Sequence, residues 1–173
     1  MSGREAPAEL RVLVVCMGNI CRSPMAEAVL RRQLEAAGLG EQVVVDSAGT
    51  YGGHAGDPPD QRGRAAAGRR GYDLSGLRAR GLAPEDAAAD LVLAMDRGNL
   101  RRVRQVVGDH PGAQLFMAAT GDAPTTEVPD PYYGGLDGFE RVLDLIEEGA
   151  AAWVERLRAM LHHGKAPPGG SGT

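Results

Sequence analysis

Cysteines, aromatic residues and long apolar runs are all scarce in this chain of 173 residues. Its two cysteines, Cys16 and Cys21, lie close together, so they do not form a secreted disulfide framework, and no histidine spacing completes a zinc site with them. No apolar run is long enough to span a bilayer, and residues 1–9 lack the apolar core of a signal peptide. We therefore expect a soluble cytoplasmic protein whose cysteines are reactive rather than structural.

Composition also limits the fold and the partners. Aromatic residues make up 4% of the chain, so the core must consist mainly of leucine, valine and alanine. The net charge of −4 argues against general affinity for nucleic acid. The length suits one domain over residues 1–162, followed by a disordered tail over 163–173 that is rich in glycine and proline.

The most informative stretch joins an apolar run, residues 10–15, to an amphipathic helix. The run is short, β-branched and nearly continuous, which is typical of a strand buried on both faces of a parallel sheet. Ser23 followed by Pro24 predicts the N-cap and the first residue of the helix. The helix has an apolar stripe that can pack on the sheet: Ala26, Val29, Leu30 and Leu34.

The loop over residues 16–23 has the features of an anion-binding site. Its small and flexible residues allow amides to turn inward, and the positive end of a helix follows. Cys16, at the end of the strand, is expected to be a thiolate nucleophile in this positive field. Arg22 can bind two oxygens of one anion with its planar guanidinium, which a lysine cannot do.

The rest of the chain alternates between strand and helix patterns, which predicts a doubly wound α/β fold with a parallel sheet. The last helix has an apolar stripe that includes Phe139 and Trp153. The predicted strands are 42–46, 90–96 and 113–117, and the predicted helices or helical turns are 57–70, 75–80, 84–88, 97–107 and 136–162.

Two motifs resemble those of the low-molecular-weight protein tyrosine phosphatases. One is Val-Cys-Met-Gly-Asn-Ile-Cys-Arg-Ser-Pro-Met-Ala-Glu over residues 15–27, and the other is Asp-Pro-Tyr-Tyr over residues 130–133. The resemblance implies four parallel strands in the order 2-1-3-4, helices on both faces and the phosphate-binding loop after strand 1. In such sheets ligands bind beyond the carboxyl ends of the strands, where the strand order reverses.

The resemblance also implies a mechanism that requires no metal and no cofactor. Cys16 attacks phosphorus, and Asp130 first protonates the leaving phenolate and then activates water. Arg22 and the loop amides stabilise the charge on the phosphoryl oxygens. The residues expected to bind substrate are Met17, Gly18, Asn19, Ile20, Cys21, Ser23, Tyr132 and Tyr133.

The resemblance also implies supporting roles for residues in and beside the loop. Asn19 is expected to adopt a left-handed backbone conformation and to hydrogen-bond Ser47, which follows the second strand. Asp96 matches an aspartate near the site, although helix capping explains it equally well. Cys21 matches a second loop cysteine that forms a protective disulfide with the nucleophile in many relatives, although a packed thiol is the alternative.

One wall of the pocket departs from the family. Gly53 stands where bacterial relatives have tryptophan, and Tyr51 is the residue that could compensate. His54 is interpreted as an ordinary loop residue rather than a ligand.

Three alternative functions share this fold or loop. An arsenate reductase would require further cysteines or an external thiol, and protein-arginine phosphatases carry threonine at the position of Ile20. A catalytically inactive phosphate-binding module would not need Cys16, Arg22 and Asp130 together. We therefore expect a phosphatase that acts on tyrosine-phosphorylated proteins, which a tyrosine kinase would supply. We also expect the protein to be a monomer.

Overall fold

The computed structural model describes residues 8–121, 126–132 and 135–163. Its centre is one parallel sheet of four strands in the order β2-β1-β3-β4, as the resemblance implies. The strands are β1 (Leu10–Cys16), β2 (Val43–Gly49), β3 (Leu91–Ala94) and β4 (Ala113–Leu115). Strand order reverses beside β1, so the carboxyl end of β1 lies at the position where such sheets bind ligands.

Helices cover both faces of the sheet, and the β1 side chains explain why. Val12 and Val14 belong to a large core beneath α1 and α4, whereas Leu13 and Val15 belong to a smaller core beneath α3. Because both faces of β1 are buried, its sequence is a nearly continuous apolar run. The helices are α1 (Arg22–Ala36), α2 (Gln61–Arg69), α3 (Arg97–Val107) and α4 (Leu136–His162).

The predicted apolar stripe of α4 is confirmed. Phe139, Leu143, Ile146, Ala150, Trp153 and Leu157 are all completely buried. The indole Nε1 of Trp153 donates a hydrogen bond of 2.6 Å to the Phe116 carbonyl, so its one polar atom is satisfied inside the core. Arg70, at the end of α2, forms ion pairs with Glu140, Asp144 and Glu147 and so attaches α2 to α4.

The helix predicted over residues 75–80 is wrong. This segment forms a turn and then an irregular stretch whose end pairs with Gly49, the last residue of β2. The Gly49 amide donates to the Arg80 carbonyl at 2.8 Å, and the Leu82 amide donates to the Gly49 carbonyl at 2.7 Å. Pairing with this exposed edge satisfies backbone groups that a short helix would leave unsatisfied at its ends.

β2 continues beyond the predicted end at Asp46 to Gly49, because residues 47–49 pair with the end of β1 and Gly49 lies opposite Cys16. A Cβ atom at Gly49 would lie 2.7 Å from the Met17 carbonyl oxygen and 3.0 Å from the Asn19 nitrogen. The loop after β1 therefore folds directly over the end of β2. Only glycine permits this approach.

None of the helices in the described ranges is both long enough and apolar enough to cross a membrane.

Candidate active site

The loop after β1 is shorter than predicted, because α1 begins at Arg22 and its N-cap position is Cys21. The interpretation of Ser23 as the N-cap is wrong: no side chain caps this helix, and Ser23 lies within its first turn. The Ser23 hydroxyl instead faces the cysteine, at 3.1 Å from Cys16 Sγ. We call residues 17–21, with Cys16 and Arg22 at their two ends, the anion loop.

Cys16 lies at the base of the anion loop, and its sulfur has two hydrogen-bond contacts. The Asn19 amide donates to Sγ at 3.3 Å, and the Ser23 hydroxyl lies on its other side. Donors of this kind stabilise a thiolate over a neutral thiol. This environment suits a nucleophilic sulfur.

Asn19 organises the loop through its side chain. It is the one non-glycine residue with positive φ (59°) in the described part of the chain. Its Nδ2 donates to the Ser23 hydroxyl at 2.8 Å and to the Ser47 hydroxyl at 3.0 Å, while its Oδ1 accepts from the Arg80 amide at 2.9 Å. The left-handed backbone and three bonds hold Asn19 behind the loop rather than in the pocket.

The partners of each hydroxyl group define which atom donates and which accepts in these hydrogen bonds. The Ser47 hydroxyl donates to the buried carboxyl of Glu27 at 2.7 Å, so it accepts from Asn19. Since Ser23 also accepts from Asn19, its own proton is available for the Cys16 sulfur. Burial raises the pKa of Glu27, while the hydrogen bond from Ser47 and the charge of Arg31 oppose that shift.

Arg22 closes the other end of the loop, and its side chain is only 2% exposed. One terminal nitrogen, Nη1, donates to Asp96 at 2.7 Å and to the Val128 carbonyl at 2.9 Å. Its buried Nε has no hydrogen-bond partner among the described residues. A buried, unpaired cationic donor is costly unless an anion binds it, so Nε and Nη2 remain for a phosphate.

Asp96 has both of the roles that the sequence suggested. Its Oδ2 pairs with Arg22, and its Oδ1 accepts from the Asn99 amide at 2.7 Å as the N-cap of α3. Asp96 thus fixes the guanidinium of Arg22 from a neighbouring strand end.

Asp130 faces the loop from the opposite side of the pocket. Its Oδ2 lies 3.6 Å from Arg22 Nη2, and its Oδ1 accepts from the Tyr132 amide at 3.0 Å. The carboxyl is about one-third exposed, so it can exchange protons with water as well as with a ligand.

A cavity of about 230 Å³ lies above the loop. The predicted binding residues Met17, Gly18, Ile20, Cys21 and Tyr132 line it together with Cys16, Arg22 and Asp130. Asn19 and Ser23 support the loop from behind. Tyr133 lies outside the described residues.

The second loop cysteine differs chemically from the first. Cys16 and Cys21 are both free thiols and both buried. Burial, followed by the charges of Asp60, Cys16 and Asp130, raises the pKa of Cys21 to about 12. Cys21 therefore stays protonated at neutral pH and does not compete with Cys16 as a nucleophile.

Two residues outside the predicted set of site residues lie at the mouth of the cavity: His54, interpreted as an ordinary loop residue, and Tyr51, expected only as a substitute for the tryptophan of the family. His54 lines the cavity, and its Nδ1 lies 3.1 Å from the Asp57 carboxylate. Tyr51 packs edge-on against His54, with 6.0 Å between the ring centroids. The Tyr51 ring lies across Gly53, where a Cβ atom would meet its ring carbon at 2.2 Å. The glycine that replaces the expected tryptophan therefore provides the space that Tyr51 occupies.

Within residues 8–121, 126–132 and 135–163, no three histidine, cysteine, aspartate or glutamate side chains cluster to hold a metal ion. The doubly wound sheet and the site define a class: α/β proteins with a cysteine at the base of an anion-binding loop that follows the carboxyl end of a strand.

The family model described as low molecular weight phosphotyrosine protein phosphatase matches residues 11–163. A Streptomyces coelicolor low molecular weight protein-tyrosine-phosphatase is 41% identical over 153 residues, 86% of this chain and 93% of the relative. The chain belongs to the low molecular weight phosphotyrosine protein phosphatase family.

Two solved structures share the fold. An Entamoeba histolytica protein tyrosine phosphatase superposes with a TM-score of 0.81 at 36% identity, covering 91% of this chain and 99% of that one. Wzb from Vibrio vulnificus, solved in complex with benzylphosphonate, has a TM-score of 0.75 at 29% identity, with coverages of 86% and 99%.

Proposed function

We propose that this protein hydrolyses phosphotyrosine in proteins through a phosphocysteine intermediate. The Cys16 thiolate forms a bond to phosphorus while the bond from phosphorus to the aryl oxygen breaks, and the proton of Asp130 goes to the leaving phenolate. In the second step Asp130 takes a proton from water, whose oxygen attacks phosphorus. The bond from phosphorus to sulfur breaks, releasing inorganic phosphate and the thiolate.

The observation that carries this proposal is the arrangement around Arg22. The buried guanidinium is held by Asp96 on one nitrogen, leaves Nε unpaired and lies beside Asp130. A trigonal phosphoryl group between Cys16 and Asp130 would satisfy that nitrogen and gain charge stabilisation in the transition state. The Asn19 and Ser23 contacts to Sγ would stabilise the sulfur when it leaves in the second step.

The mouth of the cavity favours an aryl ring on a protein. Four large apolar side chains are exposed in the described ranges, and Met17, Tyr51 and Tyr132 are the three that border this cavity. Ile20 adds an apolar contact where a protein-arginine phosphatase is expected to carry threonine. The benzylphosphonate bound by the Vibrio relative has the same combination of aryl ring and phosphoryl group.

The test compares phosphotyrosine, phosphoarginine and arsenate as substrates in the presence of EDTA. We expect hydrolysis of phosphotyrosine alone, with Cys16→Ser inactive and Asp130→Asn slowed mainly in turnover. Asp137→Asn, an exposed aspartate in the first turn of α4, is the matched control and should keep full activity. Full activity of Cys16→Ser, or preference for phosphoarginine, would overturn the proposal.

Further proposals concern the setting of the enzyme. A thiol nucleophile requires a reducing environment, which supports a cytoplasmic location, and the substrate requires a tyrosine kinase that supplies it. We also propose a monomer with one catalytic domain over residues 1–162; the tail predicted beyond it lies outside the described residues from residue 164 onwards. Light scattering and limited proteolysis test these two statements.

A further inference from the structure

Arg62, near the start of α2, lies between two aromatic rings. Its guanidinium carbon is 5.4 Å from the centroid of Tyr132 and 4.9 Å from the centroid of Phe139. Arginine over an aromatic face is attracted by the ring quadrupole, and the attraction strengthens as water is excluded. Phe139 is fully buried in α4, whereas Tyr132 belongs to the segment that carries Asp130. Arg62 therefore bridges the core and the acid segment.

The guanidinium is held in place by Asp60. Nε and Nη2 of Arg62 donate to the two carboxylate oxygens of Asp60 at 3.1 and 3.0 Å, a fork that lysine could not form. Asp60 is also the N-cap of α2, and its own amide donates to the Ile20 carbonyl at 2.7 Å. Arg62 is thus fixed relative to the anion loop through one intervening residue.

Tyr132 passes this constraint on to Asp130, because its amide donates to the Asp130 carboxylate at 3.0 Å. We propose that Arg62 is a positioning residue for the general acid: by holding the Tyr132 ring, it keeps the Asp130 carboxyl over the pocket. This inference rests on the proposed role of Asp130. The simpler alternative is that Arg62 only attaches α2 to Phe139, which would affect stability and not proton transfer.

The experiment uses the leaving group to separate these roles. Phenyl phosphate needs a proton on its leaving oxygen, whereas 2,4-dinitrophenyl phosphate releases a stable anion without one. Arg62→Met keeps an unbranched stem beside Phe139 and removes the cation. We expect kcat/KM to fall about fivefold for phenyl phosphate, the value of one cation–π contact, and to change little for 2,4-dinitrophenyl phosphate.

Two further variants sharpen the test. Arg62→Lys keeps the charge without the planar fork, so it should restore part of the loss on phenyl phosphate. Arg156→Met removes another arginine that lies 5.4 Å from an aromatic centroid, that of Trp153 on α4, and should leave both substrates unaffected. The Asp130→Asn enzyme provides the leaving-group dependence expected when the acid is lost.

The outcomes separate this inference from the proposed function. If Asp130→Asn slows both substrates equally, the acid role fails. If Asp130→Asn discriminates between them but Arg62→Met slows both equally, the positioning role is overturned. Adding Arg62→Met to Asp130→Asn should not increase the difference in kcat/KM between the two substrates, because no acid remains to be positioned. Should Arg62→Met fail to fold, the same criterion applies to Arg62→Lys.

Discussion

The floor and the rim of the pocket are built differently. The floor consists of the buried residues of the anion loop and its two ends, together with Ser23 and Ser47, and directed hydrogen bonds join its polar side chains. The rim consists of Tyr51, His54 and Tyr132, which are exposed or partly exposed and are held by ring contacts. Hydrogen bonds are directional and define positions closely, whereas ring contacts tolerate some movement.

This difference separates two tasks. A phosphoryl group is the same in every phosphotyrosine substrate, so the groups that bind it can be rigid. The peptide around the tyrosine varies, so the surface that contacts it benefits from adjustable apolar side chains. Changes in the floor should therefore reduce turnover, and changes in the rim should alter substrate affinity.

The largest effect is expected for Arg22→Lys in the floor. Lysine keeps one positive charge but cannot hold Asp96 and the Val128 carbonyl while also binding two phosphoryl oxygens. We expect kcat/KM for an aryl phosphate to fall about 10²–10³-fold, the usual effect of losing a transition-state donor. Steady-state kinetics measure this, with Arg158→Lys, a partly exposed arginine on α4, as the control. Near-normal activity would mean that the planar fork is not used.

The two thiols of the floor should differ strongly in alkylation. Because the pKa of Cys21 is about 12, its reactive thiolate is very rare at pH 7, while the Cys16 sulfur receives hydrogen bonds. Iodoacetate at pH 7 should modify Cys16 at least about 100-fold faster, and the Cys21 rate should rise about tenfold per pH unit. Peptide mass spectrometry measures both sites. Unfolding should remove the difference; equal rates in the folded protein would contradict it.

Asn19→Gly tests the support behind the floor. Glycine accepts the positive φ, so this variant removes the side-chain bonds without adding strain. The hydroxyls of Ser23 and Ser47 and the Arg80 amide each lose a buried partner. We expect about 1–3 kcal/mol less unfolding free energy and about tenfold lower kcat. Urea denaturation measures the unfolding free energy, and steady-state kinetics measure kcat. Asn19→Ala should lower the unfolding free energy further, because alanine at a positive φ adds backbone strain.

The smallest effect is expected at the rim. In Gly53→Leu the new side chain occupies the space of the Tyr51 ring, which must swing away from His54. We expect KM for a phosphotyrosine peptide to rise about threefold while kcat stays unchanged, because only uniform binding is lost. Tyr51→Ala should give the same result, and the two changes together should not add. A fall in kcat would contradict this, because it would mean that Tyr51 contributes to turnover, as the floor residues do.

The same division explains what could be predicted from the sequence. The anion loop is local: Cys16, Asn19 and Arg22 lie within seven residues, and the strand before them and the helix after them have clear apolar patterns. The strand order and Asp130 came from the family resemblance, since alternation of strands and helices does not define either one.

Residue patterns alone do not predict contacts between distant segments; the Asn19–Ser47 hydrogen bond follows only from the family resemblance. Arg22 binds a carbonyl 106 residues away, and Arg62 contacts Tyr132 on a segment that is also distant in the sequence, without a sequence signal for either contact. The helix over residues 75–80 was wrong because pairing with the edge of β2 outweighed local preference. The N-cap role of Ser23 is wrong: a serine before a proline is typical of an N-cap, but here its hydroxyl lies 3.1 Å from Cys16 Sγ.

The close approach of the anion loop to Gly49 has a kinetic consequence. Because the end of β2 supports the backbone of the anion loop, the loop is already ordered before an anion binds. Little conformational entropy of the loop is therefore lost on binding. Such a loop binds the phosphoryl group of phosphotyrosine and free inorganic phosphate through the same contacts. Free phosphate should therefore compete with substrate, so that the enzyme slows as its own product accumulates.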